Sequence, residues 1–176
     1  ITNLVVSDSV ETIGAGAFQG FGSLEEITVP FVGYSENTTG FDTRVFGYIF
    51  GGVSNGSNSA KTSTSQYTYQ NSGWCYFIPA TLKTVNVTRA TSIPEDAFYN
   101  CDCIEEIIIP SDCSSIGVNA FYSCSMLTRF NSNVDGVCDI PTSIETISNY
   151  AFYGCNLFEE ITMGDVSSIG DYAFYG

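Results

Sequence analysis

Apolar residues return along the chain in one recurring phrase. It reads Ile13-Gly-Ala-Gly-Ala-Phe18, Ile93-Pro-Glu-Asp-Ala-Phe98, Ile116-Gly-Val-Asn-Ala-Phe121, Ile147-Ser-Asn-Tyr-Ala-Phe152 and Ile169-Gly-Asp-Tyr-Ala-Phe174. Six residues after the Phe stands Leu24, Ile104, Leu127 or Phe158, followed by an alternating pair such as Ile27 and Val29, Ile107 and Ile109, or Ile161 and Met163. Alternation of this kind predicts a short strand with one buried face. Three residues before each Ile lies a further apolar column, Val10, Ala90, Cys113, Ile144 and Val166. Strand units begin at Ile1, Leu24, Leu82, Ile104, Leu127 and Phe158, so the basic period is 22 or 23 residues. A unit this short cannot bury its own apolar face, so successive units must stack, with their strands side by side about 4.8 Å apart in a parallel sheet. The Ala-Phe segment is the return limb. Pro94 followed by Glu95 and Asp96 suits the first turn of a helix, which predicts a short helix there.

Two breaks in the period locate insertions, about 35 extra residues between Val29 and Leu82 and 8 between Phe130 and Ile147. The first, near 31–73, contains Asp42 to Phe50, a degenerate limb with Val45-Phe46 in the Ala-Phe place, and then a Gly/Ser-rich excursion from Gly51 to Gly73 that reads as a flexible surface loop. The second, near 131–139, reads Asn-Ser-Asn-Val-Asp-Gly-Val-Cys-Asp and echoes a calcium loop. Two of its three acid places hold Asn, and the twelfth place is Thr142, so a plain turn is the better reading.

The phrases IPSDCSSIGVNAFYSC from Ile109 and TSIETISNYAFYGC from Thr142 resemble the BspA-type leucine-rich repeats, as do FGYIFG from Phe46 and IPATLKTV from Ile78. The resemblance implies one domain over 1–176, a curved leucine-rich-repeat solenoid with short parallel strands on the concave face and short helices or turns on the convex side. It also implies a non-catalytic, surface-displayed or secreted module for adhesion or protein binding, with no shared active site. A structural spacer is the alternative, and a carbohydrate-active enzyme a third. Ile1 opens inside a strand unit and Gly176 closes just after a limb phrase, so the chain reads as a stretch of a longer array with both ends uncapped.

The charge narrows the partners. Nineteen acidic residues against five basic ones give −14, which repels a phosphate backbone, so nucleic acid is not an expected partner. No run of 18 apolar residues is present to cross a bilayer. Histidine is absent, which removes the usual base of a hydrolase triad, and no cofactor or metal is expected. Cys101, Cys124 and Cys155 share one column, three residues after the Phe, where other units carry Phe21 and Ile49. They read as small buried hydrophobes, with bridges between coils as the alternative. Cys113 takes the place of Val10 or Ile144, while Cys75, Cys103 and Cys138 lie off these columns.

Outward strand positions carry Glu25-Glu26, Lys83-Thr84, Glu105-Glu106, Thr128-Arg129 and Glu159-Glu160. In a parallel stack Lys83 falls between Glu25 and Glu105, and Arg129 between Glu106 and Glu160, so cross-strand pairing explains the alternation. The surplus of Glu favours a cationic partner. Tyr99, Tyr122, Tyr153 and Tyr175 form an aromatic row beside the core Phe. The candidate contacts for a protein or glycan ligand are Tyr48, Tyr67, Tyr69 and Trp74 around the first insertion, and Glu26, Glu106, Arg129 and Glu160 on the strands. Asn37, Asn55 and Asn86 each begin an N-x-S/T acceptor pattern.

Overall fold

The computed structural model describes residues 1–54, 63–68 and 71–176, the side chains of 53–54, 63–65, 67–68 and 71–74 excepted. Seven strands build an all-parallel sheet: β1 (Asn3–Val5), β2 (Glu26–Val29), β6 (Thr84–Val87), β7 (Glu106–Ile108), β9 (Arg129–Phe130), β10 (Val137–Ile140) and β12 (Glu160–Met163), in that spatial order. Their register aligns Leu4, Ile27, Val85, Ile107, Phe130, Cys138 and Ile161 into one row. From Ile27 to Cys138 that row is sealed from solvent. Opposite it, β8 (Ser115–Ile116), β11 (Thr146–Ile147) and β13 (Ser168–Ile169) pair in parallel, and Ile93 bridges to Ile116, so Ile93, Ile116, Ile147 and Ile169 form a second row. Between the two lie the phenylalanines. Phe98, Phe121, Phe152 and Phe174 stack at 5.4, 4.9 and 5.1 Å between centroids.

The predicted limb helix at Pro94 is not formed; the limbs are turns. The residue two before each core Phe is left-handed (Gly16, Asp96, Asn119, Tyr150 and Tyr172), and so is the residue two after it in Gly20, Asn100, Ser123 and Gly154. Left-handed residues four apart forbid a helical turn and swing the amides sideways toward the next coil. Phe98, Phe121 and Phe152 donate their N–H to Ala120, Ala151 and Ala173, all at 2.7 Å, and Asn100, Ser123 and Gly154 donate to Tyr122, Tyr153 and Tyr175 at 2.7 to 2.8 Å. The limbs are thus bonded laterally, like strands. Among the described residues the one helical piece is a 3-10 turn, η1 (Phe46–Phe50), in the degenerate limb.

Both insertions carry strands that the sequence reading treated as loop or turn. In the first, β3 (Gly52–Ser54), β4 (Ser63–Thr68) and β5 (Asn71–Pro79) form an antiparallel sheet with β5 in the middle. Its Ser and Thr content hid a chain able to pair, since Thr and Tyr fit strands well. In the second, 131–136 is a turn, and Val137–Ile140 then enters the main sheet between β9 and β12. Cys138 and Ile140 point inward while Asp139 is exposed, a period of two that the Asn/Asp/Gly content masked. β10 therefore has no return limb of its own: the limb of Phe121 bonds directly to that of Phe152.

Candidate interaction surfaces

The strand register puts Glu26, Thr84, Glu106, Arg129, Val137 and Glu160 in one outward row. Glu26, Glu106, Arg129 and Glu160 therefore share a face. Lys83 lies between Glu25 and Glu105 through backbone hydrogen bonds to both, and its Nζ meets Glu105 Oε1 at 2.8 Å. Arg129 departs from expectation. The intervening β10 separates it from Glu160, so its guanidinium takes Glu106 at 3.4 Å and Asp135 of the turn at 2.5 Å. Asp135 and then Glu106 hold that guanidinium above its ordinary pKa. Both Lys83 and Arg129 are thus neutralised locally, while Glu25, Glu26, Glu159, Glu160 and Asp139 are exposed. The potential over this face is negative. Two hollows open onto it. One, of about 540 Å³, is lined by Glu106, Ile108, Asn131, Ser132, Asn133 and Asp139. The other, of about 360 Å³, is lined by Glu25, Glu26, Thr81, Lys83 and Thr84.

Three side chains of the 131–139 segment serve other groups. Asn131 Oδ1 accepts the Ile109 N–H at 2.7 Å, Asp135 holds Arg129, and Asp139 accepts the Thr162 hydroxyl at 2.6 Å. Among the described residues no group of three or more acidic or cysteine side chains converges on a metal-sized point.

The first insertion meets the limbs at a seam. Tyr48, on η1, stands perpendicular to Tyr34 at 6.2 Å and lines a cleft of about 300 Å³ with Asp42 and Tyr76. Tyr67 and Trp74 fall on β4 and β5, but their side chains lie outside the described residues, as does Tyr69 altogether. Two features of the seam escaped sequence reading. Gln66, fully buried, accepts the Gly47 N–H and donates to the Ala97 carbonyl at 2.9 Å, pinning the inserted sheet to two limbs. Arg44, also buried, reaches Glu95 at 3.1 Å and Asp96 at 3.2 Å, and Asn119 donates to Asp96 at 3.1 Å. Burial raises the Asp96 pKa, opposed by the Asn119 and Arg44 hydrogen bonds. No local pattern marks a buried Gln or Arg; only the tertiary partners do.

The column cysteines are free thiols, Cys101 and Cys124 buried and Cys155 half-buried, and two of them have a polar task besides packing. Cys124 donates to the Phe98 carbonyl at 3.1 Å and Cys155 to that of Phe121 at 3.2 Å, each one coil back. Burial pushes the Cys155 thiol up to about 12 and those of Cys101 and Cys124 well above the ordinary range. The tyrosine row is a continuous stack, Tyr99, Tyr122, Tyr153 and Tyr175 at 4.8, 4.7 and 5.0 Å, so ring edges rather than faces meet solvent along it. Asn37 is exposed, Asn86 is half-buried on β6, and Asn55 lies outside the described residues. No helix among the described residues is long and apolar enough to cross a membrane.

Comparison with known proteins gives the same architecture. A leucine-rich repeat protein from Bacteroides ovatus ATCC 8483, solved at 1.19 Å, superposes over 100% of this chain and 35% of its own, with a TM-score of 0.58 and 22% identity. That likeness carries the fold alone, and this chain spans about a third of that protein's length. No curated protein matches. The model of the BspA type leucine rich repeat region matches in six copies, over residues 1–71 and 136–176. With the phrase repeated coil by coil and the parallel sheet it builds, the chain belongs to the BspA-type leucine-rich-repeat family.

Proposed function

We propose that this chain is a non-catalytic interaction module of a secreted or cell-surface protein, and that it holds a basic protein segment against its main parallel sheet. The carrying observation is the charge balance of that face. Lys83 and Arg129 are each consumed by carboxylates, and Glu25, Glu26, Glu159, Glu160 and Asp139 stand exposed beyond them. A basic strand or loop laid across the sheet gains from this field, chiefly in association rate and selectivity. The family supports a binding role, since its repeats are interaction modules. A shallow curvature belongs to this reading. The stacked limb rings repeat every 4.7 to 5.4 Å, close to the spacing of strands, so little wedge builds up from coil to coil.

Selection of displayed random peptides against the immobilised protein tests the proposal. Lys- and Arg-rich peptides should be enriched, and Glu26→Gln with Glu160→Gln should weaken the selected peptides by about tenfold at low salt. Enrichment of neutral or acidic peptides, or binding untouched by these substitutions, would overturn it.

A further inference from the structure

From Ile93 onward three ladders run side by side along the solenoid. The limbs of Phe98, Phe121, Phe152 and Phe174 form one, and Ile93, Ile116, Ile147 and Ile169 form the second. Each has four members, but over the same stretch the main sheet has five strands, β6, β7, β9, β10 and β12. The surplus falls at one place. β8 pairs directly with β11, and the two limbs beside them bond directly, with Phe121 and Phe152 at 4.9 Å and Tyr122 and Tyr153 at 4.7 Å. In the main sheet β9 and β10 both stand where one strand would serve, because β9 pairs with β7 on one side and β10 on the other. The sheet side is therefore longer there by one strand spacing, about 4.8 Å. Across a core about 10 Å deep, that excess opens an angle of roughly 25–30°.

The side chain at the opening agrees with this count. Phe130 is the aromatic member of a row otherwise made of Leu4, Ile27, Val85, Ile107, Cys138 and Ile161. It is completely buried and stands edge-on to Phe121 at 5.1 Å and to Phe152 at 5.2 Å. A ring so placed fills the volume that an added strand opens on the sheet side of the limb stack, where an empty gap would be costly.

We propose that β9, with Phe130, is a wedge that bends the solenoid and makes the acidic sheet face a convex ridge, over which a flexible basic segment can drape and a stiff one cannot. Exposed carboxylates lie on both slopes, Glu25 and Glu26 before the wedge and Asp139, Glu159 and Glu160 after it. A straight rod meets one slope at a time, whereas a flexible chain reaches both. The partner rests on the function proposed above; the bend rests on the strand count.

Deleting Arg129 to Gly136 removes the wedge at unchanged net charge, since one Arg and one Asp are lost. Leu127 and Thr128, now followed by Val137 to Pro141, then take the form of Ile104 to Pro110 and restore the regular period. In crystal structures superposed on the coils before β9, the coils after it should differ between parent and deletion variant by a rotation of roughly 25–30°. Binding is then measured at low salt with two twelve-residue peptides of equal charge, in which six lysines alternate with glycine or with proline. The proline peptide is the stiff one. The glycine peptide should bind the parent about fivefold tighter than the proline peptide does, and the order should reverse on the deletion variant, because a pre-extended chain loses less entropy on a straight face. A rotation below about 10° between the two structures, or a proline peptide that binds the parent as tightly as the glycine peptide, would each overturn the proposal. The second of these needs no variant to fold. Failure of both peptides to bind the parent would overturn the basic-partner reading and the ridge's partner together, while a wrong order with both bound would overturn the ridge's selectivity and leave that reading standing.

Discussion

Removing two buried thiols should flatten the alkaline loss of stability. Cys101 and Cys124 are fully buried, and burial, the largest cause, holds both protonated well above the usual thiol range. In the unfolded chain a thiol releases its proton near pH 8.5. The folded state therefore keeps protons that the unfolded state has lost. The stability these groups supply is fully present below the unfolded pKa and falls as pH rises above it, until the folded pKa is reached. Each pH unit in that window removes about 1.4 kcal/mol per thiol, so about 3 kcal/mol per unit for the pair. Against a total of roughly 5–15 kcal/mol for a domain, that is a large fraction. The assay is urea unfolding under reducing conditions at pH 7.5 and pH 9.5, for the parent chain and for Cys101→Ala with Cys124→Ala. The double variant loses packing at both pH values, and tyrosine titration affects both proteins alike. The gap between them should therefore shrink by about 3 kcal/mol on going to the higher pH. An equal gap at both would refute the reasoning and show that these sulfurs ionise as easily folded as unfolded.

Phe121→Ala should cost roughly 3–5 kcal/mol in chemical unfolding, because its ring is sealed between Phe98, Phe130 and Phe152, whereas the half-buried Tyr122 should cost clearly less; equal losses would contradict the assignment of inner and outer rows. Gly47→Ala should destabilise by about 1–3 kcal/mol, since its new Cβ would stand 2.4 Å from Tyr76 Cβ and 2.7 Å from Gln66 Oε1; an unchanged urea midpoint would count against the seam packing. Calorimetric titration with calcium should detect no micromolar binding at 131–139, where Asn131, Asp135 and Asp139 already serve Ile109, Arg129 and Thr162.

The repeated phrase carried most of the fold. Its inward positions became the rows of Ile27 to Cys138 and of Ile93 to Ile169, because a period of two fixes which face is buried. The limb conformation was harder to read. Asp96 and Asn119 suit the left-handed region, but Tyr150 and Tyr172 occupy it too, at φ 59° and 55°, and a tyrosine gives no local hint of that. Lateral bonds to the next limb impose it. The same holds for β10: its alternation was present in Val137 to Ile140, but a strand of four residues is specified by its neighbours β9 and β12. On the sheet face, the pairing of Lys83 with Glu105 followed from register alone, while that of Arg129 required knowing that β10 intervenes.

These lateral bonds also explain where a limb-side cleft can arise. From the limb of Phe98 onward, each coil hands three amides to the next: Asp96, Phe98 and Asn100 donate to Val118, Ala120 and Tyr122, and the pattern repeats through Gly154. A backbone so fully paired offers a ligand only side-chain edges. At η1 the ladder thins, and Phe46 donates the backbone bond to Ala97 while the side chain of Gln66 bridges Gly47 to the same carbonyl. Where an amide side chain replaces a backbone partner, the chain is free to leave the repeat, and the sheet of β3, β4 and β5 leaves there. The departure keeps Gly16 and Gly51 side by side and sets Tyr48, Tyr76 and Asp42 over them. The cleft is thus the physical consequence of interrupting the ladder. Restoring a regular limb at Phe46 to Phe50 would close it, just as extending the insertion would leave it intact.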